Sequence, residues 1–126
     1  MSSKVRNIIG WVLTGLISFV LLFSAAMKLS GNPEIIKSAA QFGLSIKKFT
    51  FIGIVEIIST ILFIIPRTGV LGTLLVAAYL GGAIATHLEH LLPPYGPVII
   101  ESVLFITAVI RFPELSKRIT GQSTAL

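Results

Sequence analysis

Apolar residues in this chain occur in long runs, and polar residues gather between the runs. Four runs cover about residues 8–28, 49–65, 70–87 and 97–111. Each run approaches the roughly 20 residues that an α-helix needs to cross the hydrocarbon core of a bilayer. The pattern therefore predicts four transmembrane helices joined by short connections.

The connection between the first and second runs contains one further predicted helix. It opens with Asn32-Pro33-Glu34, and proline at the first helical position with glutamate beside it is typical of a helix start. We expect a short helix over about residues 34–41 that lies at the membrane surface. After the fourth run the sequence predicts only a polar tail. The chain, residues 1–126, is therefore interpreted as a single all-α domain: an integral membrane four-helix bundle with a short interfacial helix.

Composition supports the bilayer as the solvent. Only 12% of the residues are charged and 54% are hydrophobic, and the mean hydropathy is +0.95, values that are typical of a membrane protein. The absence of cysteine from the sequence excludes disulfides and thiolate chemistry. The net charge of +5 sits in ones and twos at the ends of the apolar runs, which is the pattern of membrane topology and not of nucleic-acid binding.

The basic residues also predict an orientation. Six are expected on the side of the termini: Lys4, Arg6, Arg67, Arg111, Lys117 and Arg118. Four are expected on the other side: Lys28, Lys37, Lys47 and Lys48. Because basic residues favour the cytoplasmic side, this excess predicts a multi-pass protein of the inner membrane with cytoplasmic termini.

The third predicted helix has small residues four apart on one face, namely Ala77, Gly81 and Ala85. Small residues at this spacing allow membrane helices to approach closely. We expect this face to pack against another helix of the same chain.

Two carboxylates lie at the same predicted depth. Glu56 comes eleven residues before Arg67, and Glu101 comes ten residues before Arg111. At 1.5 Å per residue, both lie roughly 15 Å from the cytoplasmic edge, near the middle of the bilayer. An acid at that depth is costly and marks a functional site by default. Since two facing carboxyl groups cannot both be comfortably ionised there, we expect one to hold its proton or the pair to share one.

The surroundings of Glu56 suggest an inward-facing polar layer. Three residues at helical spacing continue its small and polar face: Gly53, Ser59 and Thr60. By the same depth scale Ser18 and Tyr79 reach the level of Glu56, whereas Lys28 and His87 come out near the outer edge. Lys28 is then about 12 Å from Glu56, further than a direct ion pair reaches without tilt or water.

Each candidate also has a purely structural interpretation. Glu56 could be a neutral acid that only fixes helix packing, Glu101 could sit at the solvated start of a short fourth helix, and Lys28 could be an interfacial anchor. His87 and His90, three residues apart with Glu89 between them, would offer two metal ligands, but no third ligand follows at a fixed spacing. Interfacial histidines are the favoured interpretation, with no metal.

Several segments carry a family resemblance. They are residues 23–29, 53–57, 66–72 and 78–87, and together they resemble the DoxX-like family of small four-helix bacterial membrane proteins. The resemblance implies that Lys28, Glu56 and His87 form the polar site. Named members of the family resemble subunits of a thiosulfate:quinone oxidoreductase, which implies quinone-linked redox chemistry. The family more often has glycine where this chain has Ala25 or Ala26.

Three functional classes remain open from the sequence. The first is a membrane enzyme or redox subunit that holds a lipophilic small molecule such as a quinone, with Glu56 as proton acceptor and Lys28 or His87 stabilising negative charge. The second is a proton-coupled transporter like the small multidrug resistance proteins, although in those the acid lies on the first helix. The third is a structural or assembly subunit whose polar layer only specifies helix packing. A partner redox subunit or a homo-oligomer is a separate candidate for interaction.

The first class predicts a particular cavity. A ligand from the membrane needs entry on one side and exclusion of water on the other. We therefore expect a pocket in the outer half of the bundle, lined by Phe23, Phe51 and Tyr79 and closed on the cytoplasmic side.

Overall fold

The computed structural model describes residues 2–122, and within them the chain forms six α-helices and no β-strand. The helices are α1 (Ser3–Leu29), α2 (Pro33–Gln41), α3 (Ile46–Ile64), α4 (Gly69–Glu89), α5 (Tyr95–Arg111) and α6 (Pro113–Ile119). A 3₁₀ turn, Pro66–Thr68, joins α3 to α4. The predicted all-α class is confirmed.

Helices α1 and α3 begin before their apolar runs because serine residues cap them. The Ser2 hydroxyl accepts a hydrogen bond from the Val5 amide at 3.2 Å, and the Ser45 hydroxyl accepts one from the Lys48 amide at 3.3 Å. An N-cap of this kind satisfies an amide that has no partner within the helix. Hydropathy alone locates the apolar part of a helix and misses its polar first turn.

The segment after the fourth apolar run is helical, which the sequence analysis did not predict. Helix α6 starts with Pro113 at its first position, has Glu114 in its first turn, and has Lys117 and Arg118 in its last turn. Proline is tolerated at that position, and the charges oppose the helix dipole at both ends. These local signals stabilise a helix in a segment that lacks an apolar run.

The four long helices share one core. Helix α1 packs against α3 and α5, and α4 packs against the same two helices. The core residues come from all four: Ile17, Leu21, Phe63, Val76, Leu80 and Leu104. We call the half that contains the start of α1 and the end of α5 the terminal half, and the half that contains α2 and the connection from α4 to α5 the distal half.

Four buried threonines, one from each long helix, occupy the terminal half: Thr14, Thr60, Thr73 and Thr107. Each hydroxyl donates to the backbone carbonyl four residues earlier, at 2.7 to 2.8 Å. This pairing removes the cost of a buried hydroxyl without a partner on another helix. Ser18, expected in the polar layer, is also buried, and its hydroxyl has no hydrogen-bond partner among the described residues.

Two arginines join the helix ends of the terminal half. The Arg111 guanidinium donates to the carbonyls of Phe63 and Ile64, the latter at 2.7 Å, and lies 4.4 Å from the centre of the Trp11 ring. Arg6 donates to the carbonyl of Ile110 at 2.7 Å. The last carbonyls of a helix have no partner within it, so these side chains satisfy the ends of α3 and α5.

Of the three predicted small residues, Ala77 packs against the shared core, but Gly72 makes the close contact between α3 and α4. A Cβ added at Gly72 would overlap the backbone of Phe63, whereas none of the described atoms lies within 4 Å of a Cβ added at Gly81. Ala85 is exposed as well. The expectation for Gly81 and Ala85 is therefore wrong, because both lie on the face of α4 that points away from the core.

Among the described residues, two helices are long and apolar enough, by length and composition, to cross a membrane. They are α1, Ser3–Leu29, and α4 with the turn before it, Pro66–Glu89. Helix α3 contains three charged residues, Lys47, Lys48 and Glu56, and α5 has 17 residues. Both pack directly against α1 and α4.

Candidate functional site

A buried ion pair lies between α1 and α3. The Lys28 ammonium is 3.1 Å from the Glu56 carboxylate, and only 13% and 2% of the two side chains are exposed. The Ser24 hydroxyl accepts from Lys28 at 2.7 Å and faces the same carboxylate oxygen at 3.4 Å. Glu56 therefore has an opposite charge and a hydroxyl as its nearest polar partners, as a buried carboxylate requires.

The predicted separation of Lys28 and Glu56 is wrong. A Cβ added at Gly53 lies 3.2 Å from the Lys28 Cβ, so Lys28 is level with a residue only one helical turn from Glu56. Glycine at this crossing brings α1 and α3 close together, and the long lysine side chain spans the remaining turn. The depth scale assumed that α1 and α3 start at the same depth, and it ignored the length of the Lys28 side chain.

The inward face predicted around Glu56 is confirmed on α3. Gly53, Ser59 and Thr60 are buried together with Glu56. This face places Glu56 toward α1 and α4, where Lys28 and Tyr79 meet it.

Aromatic rings surround the Lys28 ammonium. It lies 5.6 Å from the ring centre of Phe49 and 5.7 Å from that of Tyr79, distances at which a cation is attracted to an aromatic face. Tyr79 also places its hydroxyl next to Glu56 and Ser24. The polar group thus consists of an ammonium, a carboxylate and two hydroxyls.

The polar group forms one end of a cavity of about 580 Å³ in the distal half. Most of the cavity wall is apolar, with residues from α1, α3, α4, α5 and the segment between α2 and α3; among them are Leu21, Phe42, Ile52, Leu80 and Ile100. The volume lies in the range of small-molecule sites. Below it, the terminal half is filled by fully buried side chains such as Phe63, Val76 and Leu104.

His87 lies at the distal end of the cavity wall. Its Nδ1 is 2.6 Å from the carbonyl of Ala83, and its ring meets the Phe42 ring edge-on at 4.8 Å between centres. If Nδ1 carries the proton toward that carbonyl, Nε2 is left as the acceptor. His90 pairs in the same way with the carbonyl of Thr86, at 3.0 Å.

Of the two phenylalanines predicted to line the cavity, Phe51 does and Phe23 does not. Phe51 lines the cavity while two thirds of its surface is exposed. Phe23 does not line it: this residue is 60% exposed and stacks on Phe19 on the outer face of α1. The expectation for Phe23 fails because Ser24, its neighbour on the helix, is the residue that faces inward.

Glu101 does not join the polar group. It is half-buried on α5, and within the described residues its side chain forms neither a hydrogen bond nor an ion pair and is not part of the cavity wall. The partner that the sequence analysis assigned to Glu56 is thus replaced by Lys28.

Sequence reasoning missed Ser24 and Phe49 as members of the site. Ser24 precedes Lys28 by four residues, so the two share a helix face. Phe49 precedes Glu56 by seven residues, again on one face. Helical spacing from the charged residues was the available signal for both.

The arrangement can bind a mostly apolar molecule with a polar head. Lys28 and Tyr79 supply hydrogen-bond donors, and Glu56 is the acid in the cavity wall that can exchange a proton. Because the charges of the ammonium and the carboxylate cancel, the polar end has no net charge.

Comparison with known families gives a match over most of the chain. The family model described as the DoxX-like family matches residues 12–110, which confirms the resemblance carried by the motifs. No curated protein sequence and no solved structure gives a significant match.

Proposed function

The chain belongs to the DoxX-like family, and we propose that it binds a lipophilic small molecule such as a quinone inside a membrane-spanning four-helix bundle. Family membership and the two long apolar helices indicate a membrane protein. In this proposal α3 and α5 also cross the bilayer, because they pack against α1 and α4 along the same core, and α2 lies at the surface.

The observation that carries the proposal is the largely apolar cavity with the Lys28–Glu56 pair in its wall. An apolar wall around a few convergent polar groups is the usual form of a small-molecule site. A buried charge pair at the end of an apolar cavity is costly to maintain for packing alone, since apolar residues of similar size often serve as well. Lys28 and Glu56 therefore favour a binding role over a purely structural one.

A quinone-like head group fits the donors at this end. The Lys28 ammonium has three N–H bonds, of which two point to Ser24 and Glu56, so one remains for a ligand carbonyl. The Tyr79 hydroxyl belongs to the same polar group, next to Glu56 and Ser24. Glu56 would then exchange a proton with the bound head group. Electrons for a redox reaction would come from a partner protein.

The direct test is ligand identification followed by binding. The protein is purified in mild detergent, and co-purified lipophilic molecules are identified by mass spectrometry. Decylubiquinone is then titrated while the melting temperature is followed. We expect saturable stabilisation in the wild type and at least a tenfold weaker affinity in Tyr79→Phe and Glu56→Gln.

Glu101→Gln is the matched control, because it makes the same change at a membrane carboxylate outside the cavity wall. It should bind the probe as the wild type does. Equal binding by wild type, Glu56→Gln and Tyr79→Phe, or no stabilisation of the wild type, would contradict the proposal and leave the structural-subunit interpretation.

A further inference from the structure

We propose that the cavity receives its ligand sideways from the bilayer, through a gap between the distal halves of α3 and α4, and that this ligand is an uncharged single-chain amphiphile. The gap, called the lateral opening below, is lined by Phe51 and Val55 of α3 and by Ala78 and Gly82 of α4. The inference rests on the proposed membrane site and adds a route and a ligand class to it.

The two helices that form the lateral opening are in close contact at their terminal ends. At the terminal end, Gly72 of α4 touches the backbone of Phe63 so closely that a Cβ has no room. Ten residues further along α4, no described atom lies within 4 Å of a Cβ added at Gly82. From that contact both helices extend toward the distal half, where residues of each line the cavity.

The residues that line the opening are part of the cavity wall and are exposed at the same time. Phe51 is 66% exposed and Val55 is 38% exposed, and Ala78 and Gly82 are exposed as well. They are spaced four apart on each helix, so each pair forms one edge. The cavity therefore continues to the outer surface of the protein between these two edges, at the level of the apolar helix segments.

Residues of the α2 region cover the distal end, where water would enter. Phe42 packs on His87 and stacks with Phe49, and a buried cluster of Ile35, Ala39 and Phe49 holds α2 in place. A Cβ added at Gly43 would lie 2.8 Å from the His90 ring, so this segment lies directly against the end of α4. The α2 region thus covers part of the distal end, whereas the lining residues between α3 and α4 are exposed.

The chemistry of the wall defines the ligand. The opening consists of apolar and small residues, which allow a hydrocarbon chain to pass but offer a charged head no partner. At the inner end, Lys28 and Glu56 already neutralise each other, so a charged head would leave one charge in excess. An uncharged head with a hydroxyl or carbonyl can accept a hydrogen bond from the remaining Lys28 N–H without that cost.

The route can be tested with a single reporter thiol, because the sequence contains no cysteine. Ala83→Cys places a thiol in the cavity wall, and Ser30→Cys, at the exposed end of α1, normalises the reagents. Both proteins are placed in phosphatidylcholine nanodiscs and treated with N-cyclohexylmaleimide or a sulfonated maleimide, and labelling is followed by intact mass. We expect the uncharged reagent to label position 83 at least tenfold faster after normalisation.

Gly82→Phe and Gly81→Phe form a matched pair on the Ala83→Cys background. Both add the same side chain to a helical glycine with open space, but only Gly82 lines the cavity. We expect Gly82→Phe to slow labelling by N-cyclohexylmaleimide at least tenfold and Gly81→Phe to change it less than twofold. If Gly82→Phe fails to fold, Ala78→Leu should slow labelling at least threefold. Equal rates in all variants, or faster labelling by the sulfonated reagent, would overturn the lateral route.

The ligand class is tested by protection of the same thiol. At equal membrane concentration, 1-dodecanol should slow labelling at least threefold, whereas dodecanoate and dodecyltrimethylammonium should not. Equal protection by a charged chain would overturn the uncharged class. If decylubiquinone does not bind but Gly82→Phe still blocks labelling, the quinone proposal fails and the lateral opening stands. If decylubiquinone binds but Gly82→Phe does not slow labelling, the lateral opening fails and the quinone proposal stands.

Discussion

Lys28 and Glu56 depend on each other because each neutralises the charge that the other buries. The pair is 3.1 Å apart and nearly inaccessible. Removing both charges from water costs several kcal/mol per ion, and mutual attraction with added hydrogen bonds offsets that cost. Ser24 supplies one such bond. Loss of either partner therefore leaves a charge without compensation, whereas loss of both does not.

This dependence predicts strong coupling between the two positions. Lys28→Met or Glu56→Gln alone should destabilise the protein, and the double variant should recover part of the loss, with a coupling energy of about 1 to 3 kcal/mol. The four proteins are compared by unfolding in detergent, followed by circular dichroism. Additive effects of the two substitutions would show that the pair contributes nothing to stability.

For this pair, the sequence predicted the direction of Glu56 but not its partner. The inward direction of Glu56 followed from helical periodicity, because Gly53, Ser59 and Thr60 share its face. Its partner did not follow, because depth counted along one helix carries no information on the offset between two helices. That offset depends on where side chains allow close approach, and Gly53 beside Lys28 sets it for α1 and α3.

Helices α3 and α4 make different contacts at their two ends. They touch at Gly72 and Phe63, and in the distal half residues of both line the cavity. Thr68 supports the close end, since its hydroxyl donates to the carbonyl of Leu62 at 2.8 Å across the turn. A tight turn with a glycine contact just after it fixes one end of the helix pair and leaves the cavity at the other.

The close end predicts that Gly72 cannot be enlarged. In Gly72→Ala the new methyl group meets the backbone of Phe63, which cannot move aside as a side chain could, so we expect a loss of about 2 kcal/mol. Gly81→Ala on the same helix has open space and should leave the unfolding midpoint unchanged or raise it, since alanine favours helix over glycine. A midpoint for Gly72→Ala equal to that of Gly81→Ala would contradict the contact.

Small residues show why helix pairing was only partly predictable. Ala77, Gly81 and Ala85 repeat at the spacing that favours close packing, yet Gly72 makes the contact. The repeat shows where a helix could approach a partner, but the partner's position follows from the whole core. The turn at Pro66–Thr68 brings Gly72 level with Phe63, so the contact forms at Gly72 and not at Gly81 or Ala85.

The molecule as a whole has a dense half and a hollow half. The terminal half holds four threonines whose hydroxyls donate to backbone carbonyls of their own helices, and the two arginines that donate to the last carbonyls of α3 and α5. The distal half holds the cavity and the polar group. We infer that the terminal half stabilises the fold, while the distal half can hold a ligand without loss of the core.

We propose that the basic residues orient this asymmetry in the cell. Six of the ten lie on the terminal side, and basic residues near span ends favour the cytoplasm. The proposed orientation puts the dense half toward the cytoplasm and the cavity toward the outer leaflet. We predict that Ser30→Cys, at the distal end of α1, reacts with a membrane-impermeant sulfonated maleimide added to intact cells. Gln122→Cys, after α6, should react only once the cells are made permeable. Labelling of Gln122→Cys but not Ser30→Cys in intact cells would reverse the orientation and place the cavity on the cytoplasmic side.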